Sequence, residues 1–89
     1  MQKIVIDTNV WVYAFDKSNI YHTKAVEILQ NEDFELFITP KQISEFIAVL
    51  SKKNIEIIDI LDFVYNDMLS NSILVYPNSQ SIKFFTELC

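Results

Sequence analysis

Glycine is absent from this chain. Without it, neither the P-loop that cradles nucleotide phosphates nor the dinucleotide-binding fingerprint can be written, so ATP- and NAD-dependent readings lose their usual signatures. Arginine is absent too: the cationic side chains are seven lysines, and the formal net charge is −5. That balance excludes the broad basic surface of a duplex-coating protein. A phosphate met by this chain would face lysine point charges, with no bidentate guanidinium fork. Nucleic acid stays open as a partner at a local site where divalent cations shield carboxylates. Cysteine occurs once, at Cys89, so no internal disulfide forms and no zinc-ligand spacing exists, as befits a reducing compartment. No apolar run approaches the roughly 18 residues of a membrane span, and the start lacks a signal-peptide pattern. The expectation is a cytoplasmic, soluble protein with no membrane partner.

What is present is a packable core. Hydrophobic residues make up 51% of the 89 positions and aromatic residues 13%, a composition that separates the chain from disordered segments. A chain of this length buries only about 60 to 65% of its unfolded surface, which bounds it to one domain of modest stability. It carries no repeats, low-complexity tracts or linker-like stretches, so no boundary is placed inside residues 1–89.

Ile4, Val5 and Ile6 are consecutive β-branched residues, the mark of a strand buried on both faces as in a parallel sheet. Asp7, Thr8 and Asn9 follow, all good N-cap residues, and the chain then turns helical. A second helix is predicted over residues 19–31, where His22, Ala25, Val26 and Leu29 recur at helical spacing. "FELFIT", residues 34–39, reads as the second strand. Pro40 suits a first helical turn with Thr39 as its cap, and Ile43, Phe46, Ile47 and Leu50 form an apolar stripe down to about Lys53. Over residues 55–71 the apolar set Ile57, Ile58, Leu61, Val64, Tyr65, Met68 and Leu69 predicts another helix, with Asp59, Asp62, Asn66 and Asp67 facing solvent. A third strand is expected at residues 72–76 and a last helix in "NSQSIKFFTELC", carrying Ile82, Phe85 and Leu88. Strands alternating with helices predict an α/β fold with a parallel central sheet and right-handed crossovers.

The last predicted helix runs to Leu88 and Cys89 with no glycine or asparagine cap and no basic last turn, which predicts a domain incomplete at its C-terminus. Three parallel strands would also leave a sheet edge uncovered. Missing sequence or a second subunit is expected to cover it.

Ligands of open α/β sheets gather beyond the carboxyl ends of the strands. Asp7 sits at such an end, where it is either an N-cap or a metal ligand. Glu45, early in the helix after the second strand, points away from that helix's apolar stripe and is either a solvated glutamate or a partner for Asp7 across the edge. Two convergent carboxylates without Cys or several His describe a hard-cation site for Mg²⁺ or Mn²⁺. Such an ion lowers the pKa of bound water and stabilises phosphodiester hydrolysis. Thr8 and Asn9 are cap or turn residues by pattern. Asp16, in "AFDKSN", reads as a turn residue in preference to a ligand, His22 as packed or partly exposed at a helix start, and Trp11 and Tyr13 as core in preference to a base-stacking platform.

"IVIDTNVWVYAF" followed by "DKSNIYHTKAVEIL", and then "LFITPKQISEFIAVL", resembles the PIN-domain family, which includes VapC-type toxins. The strand ending in D-T-N and the later helix with S-E-F match that family's first two acidic motifs. The resemblance implies a three-layer fold around a parallel sheet, here ending before its last strands, and an Mg²⁺- or Mn²⁺-dependent ribonuclease that is often homodimeric. By position it makes Asp7 and Glu45 catalytic metal ligands and Thr8 and Asn9 supporting residues. It also implies an RNA substrate and an antitoxin protein that restrains the nuclease. The family's third acid follows a helix like "SIKFFTELC", where this chain ends, so the form in hand is expected to be weakly active or inactive. A catalytically dead remnant that binds protein or RNA is the alternative.

Overall fold

Parallel pairing in register governs the architecture. In the computed structural model, which describes residues 2–76, strand β1 (Gln2–Val5) pairs with β2 (Phe34–Ile38), Ile4 opposite Leu36 and Val5 opposite Phe37. Strand β2 pairs in turn with β3 (Ile73–Leu74), giving a three-stranded parallel sheet in the order β1-β2-β3 among the described residues. The ladder continues past β3, where the Val75 N–H donates to the Ile38 carbonyl at 2.8 Å. The expected strand at residues 72–76 is thus present with a shorter regular part.

Helices fill the crossovers. Helices α1 (Thr8–Phe15) and α2 (His22–Leu29) join β1 to β2, and α3 (Pro40–Lys52) and α4 (Ile57–Phe63) join β2 to β3. Both crossovers step the same way across the sheet, and crossovers of one hand then lay their helices on one face. The core confirms this placement. Alternate strand residues Ile4, Ile6, Phe34, Leu36, Ile38 and Leu74 meet Trp11, Val12, Phe46, Leu50 and Ile60 from the helices. At the centre Phe46, fully buried, stacks on Phe63 with centroids 5.3 Å apart, while Phe15 meets both rings edge-on. The expected last helix lies outside the described residues, among which no third layer is formed.

Two differences from the sequence reading are physical. Helix α2 begins at His22 instead of residue 19, because Asp16 and Asn19 each accept a hydrogen bond from a backbone N–H two residues on, at Ser18 and Tyr21, and so build turns. The Ser18 hydroxyl, then its backbone N–H, hold the Asp16 carboxyl below the usual carboxylate range, with Lys53 adding its charge. Those turn bonds are therefore present at neutral pH and weaken as pH falls through the lowered value. The second difference is in α4, which does not continue as one α-helix to residue 71 but passes into a π-helical turn, Val64–Met68. The buried line there is Ile60, Val64 and Met68, whereas Ile57, Ile58, Leu61 and Tyr65 of the expected stripe are exposed. Asp59, Asp62 and Asp67 face solvent as expected.

Helix α3 ends without a glycine. Asn54 takes the left-handed conformation at φ 62°, the Ile55 N–H reaches back to the Leu50 carbonyl, and the Asn54 N–H reaches that of Ser51. This is the Schellman pattern with asparagine in the position glycine usually fills. Because Phe46 contributes to both the helix packing and the aromatic cluster, Phe46→Ala is expected to cost about 3–5 kcal/mol, read as a lower urea midpoint followed by the fluorescence of Trp11.

Candidate metal centre

The site is assembled by the two strand-to-helix junctions at the carboxyl edge of the sheet. At the first, Asp7 is extended (φ −66°, ψ 146°) and caps α1, its Oδ1 accepting the Asn9 backbone N–H at 3.2 Å. An extended residue with a short acceptor side chain satisfies a helix N-terminal donor that would otherwise be orphaned, and the carboxylate gains from the helix dipole. The capping reading of Asp7 is therefore correct, and it engages one of the two carboxylate oxygens.

At the second junction Thr39 and Gln42 form a reciprocal capping box. Thr39 Oγ1 accepts the Gln42 N–H at 3.2 Å, and Gln42 Oε1 accepts the Thr39 N–H at 2.9 Å, with Pro40 as the first helical residue. The sequence T-P-K-Q carries that signal. It does not show the third bond, in which Gln42 Nε2 donates to the Ile6 carbonyl at 2.6 Å. That carbonyl belongs to the residue just before Asp7, so one side chain ties the start of α3 to the exit of β1.

Glu45 lies in the second turn of α3, exposed and off its buried line of Phe46 and Leu50. It is not isolated. The hydroxyl of Thr8, a residue only 7% exposed, donates to Glu45 Oε2 at 3.4 Å across 37 positions of sequence. At that length the bond is weak, and its value is positional. Thr8 directly follows Asp7, so this contact ties Glu45 to the residue next to Asp7. Thr8 does more than the cap or turn role that its pattern suggests. Asn9 is exposed and contributes its backbone N–H to Asp7.

The candidate donors are two exposed carboxylates and the Thr8 hydroxyl that meets one of them, all hard oxygen donors. Such a set suits Mg²⁺ or Mn²⁺, which keep several waters when few protein ligands are offered. Among the described residues no third Asp, Glu, His or Cys completes a metal-binding group. The remaining candidates stand apart: Asp16 is bound to Ser18 in its turn, Asp62 accepts the Asn66 side chain at 2.7 Å, and the half-buried His22 meets the Tyr13 carbonyl through Nδ1 at 3.0 Å. Trp11 and Val12 are core, as the sequence reading has Trp11.

Replacing Gln42 by alanine removes the two bonds made by its side chain, to the Thr39 N–H and to the Ile6 carbonyl. We expect Gln42→Ala to lower stability by about 1–3 kcal/mol, measured by urea unfolding, and to shift the amide resonances of Asp7 and Thr8 although neither residue is changed.

A search of curated proteins returns no match to this chain. The family model described as the PIN domain matches residues 4–83, from the middle of β1 through both junctions and past β3. The chain belongs to the PIN-domain family.

Proposed function

We propose that this protein is a metal-dependent ribonuclease of PIN type, in which Asp7 and Glu45 hold Mg²⁺ or Mn²⁺ at the carboxyl edge of the sheet. PIN domains have a nuclease-like fold and generally bind divalent metal, and the observation that supports the reading in this chain is the Thr8–Glu45 contact beside the capped Asp7. It accounts for a buried threonine directed at an otherwise exposed glutamate.

The residues have separable tasks. The Asn9 N–H fixes Asp7 through Oδ1, which leaves the second oxygen available to a cation. Thr8 restrains Glu45 through Oε2 in the same manner. Gln42 keeps the two junctions in register, which makes it a positioning residue. A bound divalent ion would supply an activated water and charge neutralisation for the scissile phosphodiester. Lysines, the only strongly basic side chains here, meet phosphates as single charges, so binding to RNA is expected to be local and steeply salt-dependent.

Two carboxylates make a weak cation site, so slow turnover by residues 1–89 is part of the proposal. A partner chain belongs to it as well. Strand β1 has β2 on one side and no strand on the other among the described residues, and we assign cover of that edge to a second copy of the chain or to an antitoxin-like protein. A catalytically dead module that binds RNA or protein is the second reading, favoured by the absence, among the described residues, of a third acid that would complete a metal-binding group.

The deciding experiment is an assay on single-stranded RNA with and without Mn²⁺. Slow, metal-dependent cleavage is expected, lost at least tenfold in Asp7→Asn and in Glu45→Gln, and reduced less in Thr8→Val. RNA binding with no cleavage by the wild-type chain at any Mn²⁺ concentration would establish the dead module instead.

A further inference from the structure

A shallow groove of about 180 Å³ lies between α1 and α2, lined by Val10 and Tyr13 from the first helix and by Tyr21, Lys24, Ala25 and Ile28 from the start and body of the second. Tyr13, expected in the core, is half-buried, and Tyr21 is 54% exposed. Their rings are neighbours, with centroids 5.3 Å apart and planes inclined at 43°. Local bonds set the pair in place: the Tyr21 N–H donates to Asn19 Oδ1 at 2.8 Å, and His22 Nδ1 meets the Tyr13 carbonyl at 3.0 Å, tying the start of α2 to α1. An aromatic pair is thus held at the surface with Tyr21 open to solvent.

Three observations bear on what such a groove takes. The first is size: it is smaller than the pockets of about 300–1,000 Å³ that enclose a whole small molecule, so it suits one ring of a ligand anchored elsewhere. The second is charge. Among the described residues lining the groove the only charged side chain is Lys24, and Glu27, one turn further along α2, does not line it. In a chain of net charge −5, this wall can meet a polyanion without an acid of its own opposing it. The third is position. Val10 and Tyr13 follow Asp7 by three and six residues, roughly 4.5 and 9 Å along the helix axis. The exposed Asn9 stands one turn before Tyr13 on the same side of α1, so the helix surface runs from the candidate metal centre into the groove. A nucleotide next to one held at the carboxylates is within reach of it.

We infer that the groove seats one base of single-stranded RNA, stacked on Tyr21, while Lys24 meets a neighbouring phosphate. The inference rests on the ribonuclease reading of Asp7 and Glu45, which supplies the strand and its anchor. Every base has a π-face, so stacking on a tyrosine holds the substrate without reading its sequence. Lys24 contributes a single charge, as a lysine does on a phosphate. Tyr21 and Lys24 are therefore substrate-binding residues, apart from the acids that hold the cation.

The test is the affinity of a labelled oligoadenylate hexamer, followed by fluorescence anisotropy in the Asp7→Asn background so that the strand stays intact. Tyr21→Ala and Tyr21→Leu are each expected to weaken binding at least about fivefold, and Tyr21→Phe to leave it nearly unchanged. Lys24→Gln should weaken binding and lower the slope of log affinity against log salt by about one. With a hexamer of abasic ribose phosphates, Tyr21→Ala should make no difference. In ¹⁵N spectra the oligoadenylate is expected to shift the amides of Tyr13, Tyr21 and Lys24. Unchanged affinity in Tyr21→Ala, full affinity in Tyr21→Leu, or shifts confined to other regions would each overturn the inference and leave the ribonuclease reading standing. No RNA binding by any of these chains, with no cleavage by the wild type, would remove both.

Discussion

The Gln42 side chain is the constraint on which the arrangement depends. It closes the capping box with Thr39 and donates to the Ile6 carbonyl, so the beginning of α3 and the end of β1 are held by one carboxamide. Parallel pairing of β1 with β2 sets the two strand ends side by side, but strand pairing alone leaves the helices that follow free to tilt. Gln42 removes that freedom. Glu45 is three residues further along α3, nearly one turn, and Asp7 is the residue after Ile6, so the clamp fixes where the two acids stand.

Asp7 raises the choice between cap and ligand, and the geometry makes the two compatible. Capping uses Oδ1 alone and orients the carboxylate as a side effect. A carboxylate held through one oxygen still presents the other, and an oxygen donor is what a hard cation binds. Thr8 follows the same economy. The residue is 7% exposed, and its hydroxyl restrains Glu45. Local folding and the candidate site thus use the same few bonds.

Much of this was legible beforehand because the signals are local. A β-branched run ending in D-T-N, and T-P-x-Q before an apolar stripe, state their strands, caps and helix starts within a few residues. The Ile6–Gln42 and Thr8–Glu45 bonds were not legible, since they join positions 36 and 37 apart and depend on strand pairing. The path of α4 failed for another reason. Apolar residues crowd both sides of residues 57–69, as in Ile57, Ile58, Ile60 and Leu61, so helical spacing fits more than one stripe. Packing against the core, with Phe46 and Leu50 of α3, chose the line through Ile60, Val64 and Met68, and the π turn interrupts the α-helical phase there.

That these two junctions form a single cation site is the claim on which the functional account stands. Anomalous scattering from a crystal soaked in Mn²⁺ addresses it without reference to activity, substrate or partner. A peak within ligand distance of both the Asp7 and Glu45 carboxylates, lost in Asp7→Asn, is the predicted result. A wild-type crystal that shows Mn²⁺ only at other surface acids such as Asp59 or Asp62, with none between Asp7 and Glu45, would contradict it.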